Sequence, residues 1–210
     1  VNPGLIGMGG GEAREPVTEL PDGTRLIDDC RVLDPTDLCE PWTEPEPGSP
    51  GVTIRDVAQF RPAEPGGFME PDGWAVIGLP ANFIGETSAH TTTGTLLGRP
   101  AEVRFTPVGY RWEFSDGATV TSDDPGATWA ELGQREFTAT ATSHVFTERG
   151  TFTVTPTTTY LAEYRFDGSA WLPVPGALEI PGEARSIQVG RIDTVLVNGT
   201  CTQNPSGPGC

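Results

Sequence analysis

Tyr110-Arg111-Trp112-Glu113-Phe114-Ser115-Asp116-Gly117 decides the fold class. Tyr110, Trp112 and Phe114 alternate with polar residues, which puts all three rings on one face of a strand. Asp116-Gly117 then turns the chain, because Asp bonds its own backbone and Gly tolerates a positive φ. A second stretch repeats the logic: His144-Val145-Phe146-Thr147-Glu148-Arg149-Gly150-Thr151-Phe152-Thr153-Val154. Phe152 and Val154 alternate after a turn at Arg149-Gly150. Two aromatic-rich strands of this kind can supply the facing walls of a core between sheets.

Working outward, 27 Gly and 21 Pro in 210 residues, with abundant Thr and no sustained helical periodicity, predict an all-β, loop-rich protein. The formal net charge of −16 argues against binding nucleic acid or an anionic membrane surface. All 13 basic residues are Arg, as GC-rich coding of the actinobacterial kind would give. No run approaches the ~18 apolar residues of a membrane span. The chain starts at Val1 and carries cysteines without a C-x-x-C, so the simplest account is a secreted chain whose signal peptide has been removed. A trimmed fragment is the alternative.

The two quoted stretches resemble the PKD domain, an immunoglobulin-like β-sandwich named after polycystic kidney disease protein. Its hallmark strand and turn read W-D-F-G-D-G, followed by H-x-Y/F-x-x-x-G-x-Y/F-x-V. Trp112, Phe114, Asp116 and Gly117 match the first motif; His144, Phe146, Gly150, Phe152 and Val154 match the second. Glu113 stands where Asp is usual and Ser115 where the first Gly is usual, which implies a less strained bend. The resemblance covers roughly residues 100–165. It implies a structural role for His144, and a chain that binds protein or carbohydrate at a surface without catalysing a reaction.

The organisation expected is an arm and linker over residues 1–50, a transitional segment over 51–73, a PKD-like sandwich with extra strands over 74–198, and a disulfide-closed tail over 199–210. Cys30 with Cys39 and Cys201 with Cys210 would each close a short Pro-containing loop, contributing about 2–3 kcal/mol in the chain-entropy view. A long-range pairing such as Cys30 with Cys201 stays open. Pro21-Asp22-Gly23 is a turn signal for a hairpin over 16–27. Residues 74–79 read as a buried strand, and 101–106 as a strand with Val103 and Phe105 inward. Residues 136–145 alternate as a strand should. From Phe152 the even positions stay largely apolar as far as Phe166, which gives one strand of about 45 Å or two broken at Pro156. Asp167-Gly168 marks a hairpin, and 186–189 and 191–197 are the last strands.

The sequence contains no G-x-S-x-G elbow, H-E-x-x-H or phosphate loop. His90 lies in a polar β stretch expected at the surface. His144 is expected to hydrogen-bond a nearby loop. Asp116, Asp123 and Asp124 come from turns that could converge on calcium, the one cofactor considered. Trp42, Trp129 and Trp171 are the aromatic candidates for a carbohydrate platform, each also readable as core or clamp. The function expected is a non-enzymatic secreted or cell-surface module for adhesion or assembly through protein or carbohydrate binding. The alternatives are a subunit of an extracellular filament joined through an N-terminal arm at Leu5, Ile6 and Met8, and an accessory domain of a carbohydrate-active enzyme.

Overall fold

The computed structural model describes residues 17–27, 51–192 and 200–207, and they are mostly β-strand. The arm residues Leu5, Ile6 and Met8, together with Trp42, Cys30, Cys39 and Cys210 and most of the strand expected at 191–197, lie outside them. The described chain forms two compact units, each assembled from separate stretches of sequence. Each has its own hydrophobic core. The range 74–198, expected to be one sandwich, is divided between the two units. The difference arises because two long strands, β7 (Arg99–Phe114) and β10 (Gly150–Phe166), each contribute to both cores.

The first unit comprises the described parts of Val1–Pro65, Thr87–Gly109 and Thr157–Gly182. Pro21-Asp22-Gly23 turns the chain as expected: β1 (Val17–Glu19) pairs antiparallel with β2 (Arg25–Ile27), and Gly23 N–H donates to Leu20 O at 3.0 Å. However, this hairpin is not part of an arm. β2 pairs with β11 (Leu172–Pro181), and Leu26 and Ile27 are fully buried. A three-residue strand is too short to show alternation, and its partner is far away in sequence, so the docking was invisible to the sequence reading. Asp167-Gly168 makes the β10–β11 hairpin, with both residues at positive φ (49° and 71°) and Ser169 N–H closing on Phe166 O at 2.9 Å. β11 bulges at Gly176, where φ is 93° and a Cβ would lie 2.3 Å from Ile27 O.

Helix α1 (Ile54–Ala58) lies in the segment expected to be transitional, 51–73. Its signal was Thr53-x-x-Asp56, a capping box. The Thr53 side chain accepts from Asp56 N–H, and the Asp56 carboxylate accepts from Thr53 N–H at 2.9 Å. Ile54 and Val57 then pack with Phe60, Leu96, Val103, Phe105, Tyr160 and Leu178 in the first core. β6 (His90–Leu96) pairs antiparallel with β7.

The second unit comprises Gly66–Glu86, Tyr110–Pro156 and the described part of Glu183–Cys210. One sheet is antiparallel: β3 (Gly66–Glu70), β5 (Pro80–Glu86) and β9 (Ser143–Val145). The other runs β4 (Trp74–Val76), β12 (Arg185–Gly190), β10, β7 and β8 (Thr119–Ser122), with β4 parallel to β12. Phe83 and Ala81 from the first sheet share a core with Trp112, Phe114, Val154 and Ile187 from the second. The buried parity of β7 switches across Pro107-Val108-Gly109: Ala101, Val103 and Phe105 serve the first core, Tyr110, Trp112 and Phe114 the second. β10 is one continuous strand. Pro156 falls between its ladder with β12, which ends at Val154, and its ladder with β11, which starts at Thr157. A residue without an N–H is tolerated at such a gap.

Two expected strands are corrected. Residues 74–79 form a strand only over Trp74–Val76, after which Gly78 turns the chain at φ 76°. Its Ala75 and Val76 are buried, but Trp74 is 41% exposed. Of residues 136–145, only Ser143–Val145 is strand. Phe137 sits at φ 62°, which breaks the extended run, and its ring meets Trp129 at 5.6 Å. Thr140 and Thr142 turn their hydroxyls towards Asn82. That side chain is fully buried. Its amide nitrogen donates to Glu70 Oε2 at 3.1 Å and Ala127 O at 2.9 Å. Its oxygen accepts from Thr140 Oγ at 2.7 Å and Thr142 Oγ at 3.3 Å. Glu70 also accepts from Trp129 N–H at 2.8 Å. A buried amide with every site engaged fixes one arrangement of the loop above it.

Replacing Asn82 by Ala removes the amide that Thr140, Thr142 and Glu70 share, so unfolding free energy should fall by roughly 2–3 kcal/mol. Chemical denaturation followed by tryptophan fluorescence measures this.

Candidate interaction surface

The motif residues come together in the second unit. Trp112, Phe114 and Phe146 are buried. His144 stacks on Phe114 at 4.3 Å between centroids and meets the edge of Phe146 at 4.6 Å. Its Nε2–H donates to Asp116 Oδ2 at 2.8 Å, since a carboxylate can only accept. Asp116 Oδ1 accepts from Ala118 N–H at 3.0 Å, closing the turn at Gly117. His144 thus ties one motif stretch to the other. Ser115 also acquires a reason: its Oγ accepts from Thr153 N–H at 2.9 Å and its N–H donates to Thr153 O at 3.0 Å. That bond joins β7 to β10, and glycine could not make it through a side chain.

Both histidines are engaged in structural bonds. Ala63 N–H donates to His90 Nε2 at 3.0 Å, so Nδ1 carries the proton and donates to Ser88 O at 3.0 Å. Asp116 and Asp124 are engaged in their own turns too, Asp124 accepting from Gly126 N–H at 2.9 Å. Among the described residues no three His, Cys, Asp or Glu side chains are grouped to hold a metal ion, so Asp116, Asp123 and Asp124 are not brought to one calcium site. Cys201 is disulfide-bonded, to a partner outside the described residues. Among the described residues no helix is long and apolar enough to cross a membrane.

Of the aromatic candidates, Trp129 is buried and donates its indole N–H to Thr138 O at 2.8 Å. It is a clamp for the loop. Trp171, in the first unit, has the guanidiniums of Arg104 and Arg165 over its ring at 4.6 and 4.4 Å. Those cations pair with Glu163 and Glu102, each at 2.6 Å. The ring is partly buried and packs against these two cations.

Trp74 is the aromatic that sequence reasoning missed, because it opened an apolar run that looked buried. Strand registry places it on the outward face of the second unit's larger sheet. Gln188 lies opposite Trp74 on one side and opposite Thr151 on the other. The alternate positions Ala75, Ile187 and Val189 point into the core, so Trp74, Ser186 and Gln188 point out. Thr153 lies opposite Ser186 on the same face. Beyond β10, Arg111 and Glu113 lie opposite Thr121 and Thr119, and the two charges face each other at 3.8 Å. The alternation rule could have revealed this face only once the register of β4 on β12 was known.

No protein-family model, curated protein or solved structure matches this chain.

Burial pushes the Asp116 carboxyl up, but the Ala118 N–H, the His144 hydrogen bond and the His144 charge outweigh it and hold the group below its ordinary 3.8. The folded chain therefore binds this proton more weakly than the unfolded chain. The resulting stability is complete above that value and is lost as pH falls through it and below. Asp116→Asn should flatten this acid limb of the stability curve and cost about 1–2 kcal/mol at neutral pH through the weakened His144 bond. Denaturation midpoints from pH 7 downwards check both.

Proposed function

We propose that the chain is a non-enzymatic, secreted or cell-surface interaction module, serving adhesion or assembly by binding protein or carbohydrate. Within this reading, the second unit is a PKD-like, immunoglobulin-type β-sandwich. The support for that assignment is the motif contact between His144 and Asp116, with Phe114 and Phe146 packed on the same ring. The observation that carries the functional reading is the outward sheet face. It pairs an exposed indole, Trp74, with side chains that offer hydroxyls and an amide. The two imidazoles, His90 and His144, are meanwhile used in fixing structure. Disulfides at Cys30–Cys39 and Cys201–Cys210 complete the proposal as staples of an exported chain.

Sedimentation of the purified chain with intact actinobacterial cells and with their isolated walls tests this reading. Co-sedimentation with at least one of these surfaces is expected. A chain that stays in the supernatant with both would contradict it.

A further inference from the structure

We infer that the outward face around Trp74 is a binding site for a neutral polysaccharide, with the indole as its stacking platform. This rests on the interaction-module reading and names its ligand. Trp74 is 41% exposed although it belongs to a strand whose next two residues are buried. Its ring lies 6.2 Å from that of Phe137, which in turn packs at 5.6 Å on buried Trp129. The indole therefore rests against Phe137 and is still partly open to solvent. A platform held in place beforehand loses little freedom when a ligand stacks on it.

The row beside it supplies polar groups. Trp74, Gln188 and Thr151 lie in register across three strands, a span of about 10 Å at the usual strand spacing. Thr151 Oγ–H donates to Gln188 Oε1 at 3.1 Å. That bond orients the amide, and both Nε2–H donors are left for a ligand. Ser186 and Thr153 form the next row. Hydroxyls that donate and accept, beside an apolar ring face, match a sugar's hydroxyls and its C–H face.

Charge and composition select this ligand over others. None of the side chains in these two rows is ionised, and on β7 the charges of Arg111 and Glu113 pair with each other at 3.8 Å. The whole chain carries −16, so an anionic polymer is repelled. A cationic partner would favour the carboxylates elsewhere over an uncharged strip. A protein partner could use Trp74, but protein hot spots are poor in Ser and Thr, which make up most of this strip.

The experiment uses the full chain, with Trp74→Ala, Trp74→Tyr, Gln188→Ala and Trp171→Ala. Native gels containing galactomannan, xylan, mixed-linkage β-glucan or starch, and pelleting on cellulose and chitin, measure retention. The expected result is retention of the wild type by at least one neutral polymer, little changed by salt. Trp74→Ala should weaken it about tenfold or more, with Tyr recovering part and Gln188→Ala weakening it by about threefold to tenfold. Trp171→Ala should bind like the wild type. If Trp74→Ala melts early, Trp74→Tyr and Gln188→Ala decide, and equal retention of both with the wild type overturns the site. Wild type retained by none of the six polymers overturns the inference. If intact cells or walls still pull the chain down, the interaction module stands and its ligand is something else; if they do not, both readings fall.

Discussion

Two strands have to serve two cores. β7 and β10 each give apolar side chains to the first unit at one end and to the second unit at the other. Burial of these side chains is the main favourable term in folding each unit, and the strands meet it by different means. β7 changes which parity is buried, and Pro107-Val108-Gly109 marks the change. β10 keeps its even positions buried and changes its ladder partner around Pro156. Everything that positions the candidate surface follows from this arrangement. β12 can pair with the first part of β10 because β11 takes the rest, and β4 joins the sheet through β12.

Polar bonds then settle what burial leaves open. Apolar packing alone would not choose one path for residues 123–142. Asn82 chooses it, because a buried amide without partners costs more than the ordering it imposes. The same logic applies at the motif turn. His144 stacks as an aromatic and bonds as an imidazole, and Asp116 answers it while also closing its own turn. With the loop fixed, Phe137 lies beside Trp74, and the exposed indole gains its support.

Where alternation was long and the turn chemistry strong, the sequence was a good guide. The aromatic face of Tyr110, Trp112 and Phe114, the inward Val103 and Phe105, and the turns at Pro21-Asp22-Gly23 and Asp167-Gly168 are all present in the structure. Alternation misled at residues 136–142, where threonine and alanine at period two mimic a strand. There the side chains hydrogen-bond Asn82, and Phe137 takes a positive φ. Hydrophobicity misled at Trp74, since an apolar run does not say which residue lies on the solvent face of a short terminal strand. The part of the hairpin that enters the first core was hidden by its length. The candidate surface was illegible for a more general reason. Its members, from Trp74 to Gln188, are gathered by strand registry, and registry between distant segments is written in no local pattern.

The most direct measurement is a titration of the isotope-labelled chain with a neutral oligosaccharide taken from the polymer that retains it, followed by nuclear magnetic resonance. The account predicts shifts at the Trp74 indole N–H and the Gln188 side-chain amide, and at backbone groups of β4, β12 and the first part of β10. The Trp171 and Trp129 indole signals should stay in place. Shifts centred on Trp171, or scattered over both units without Trp74, would contradict it.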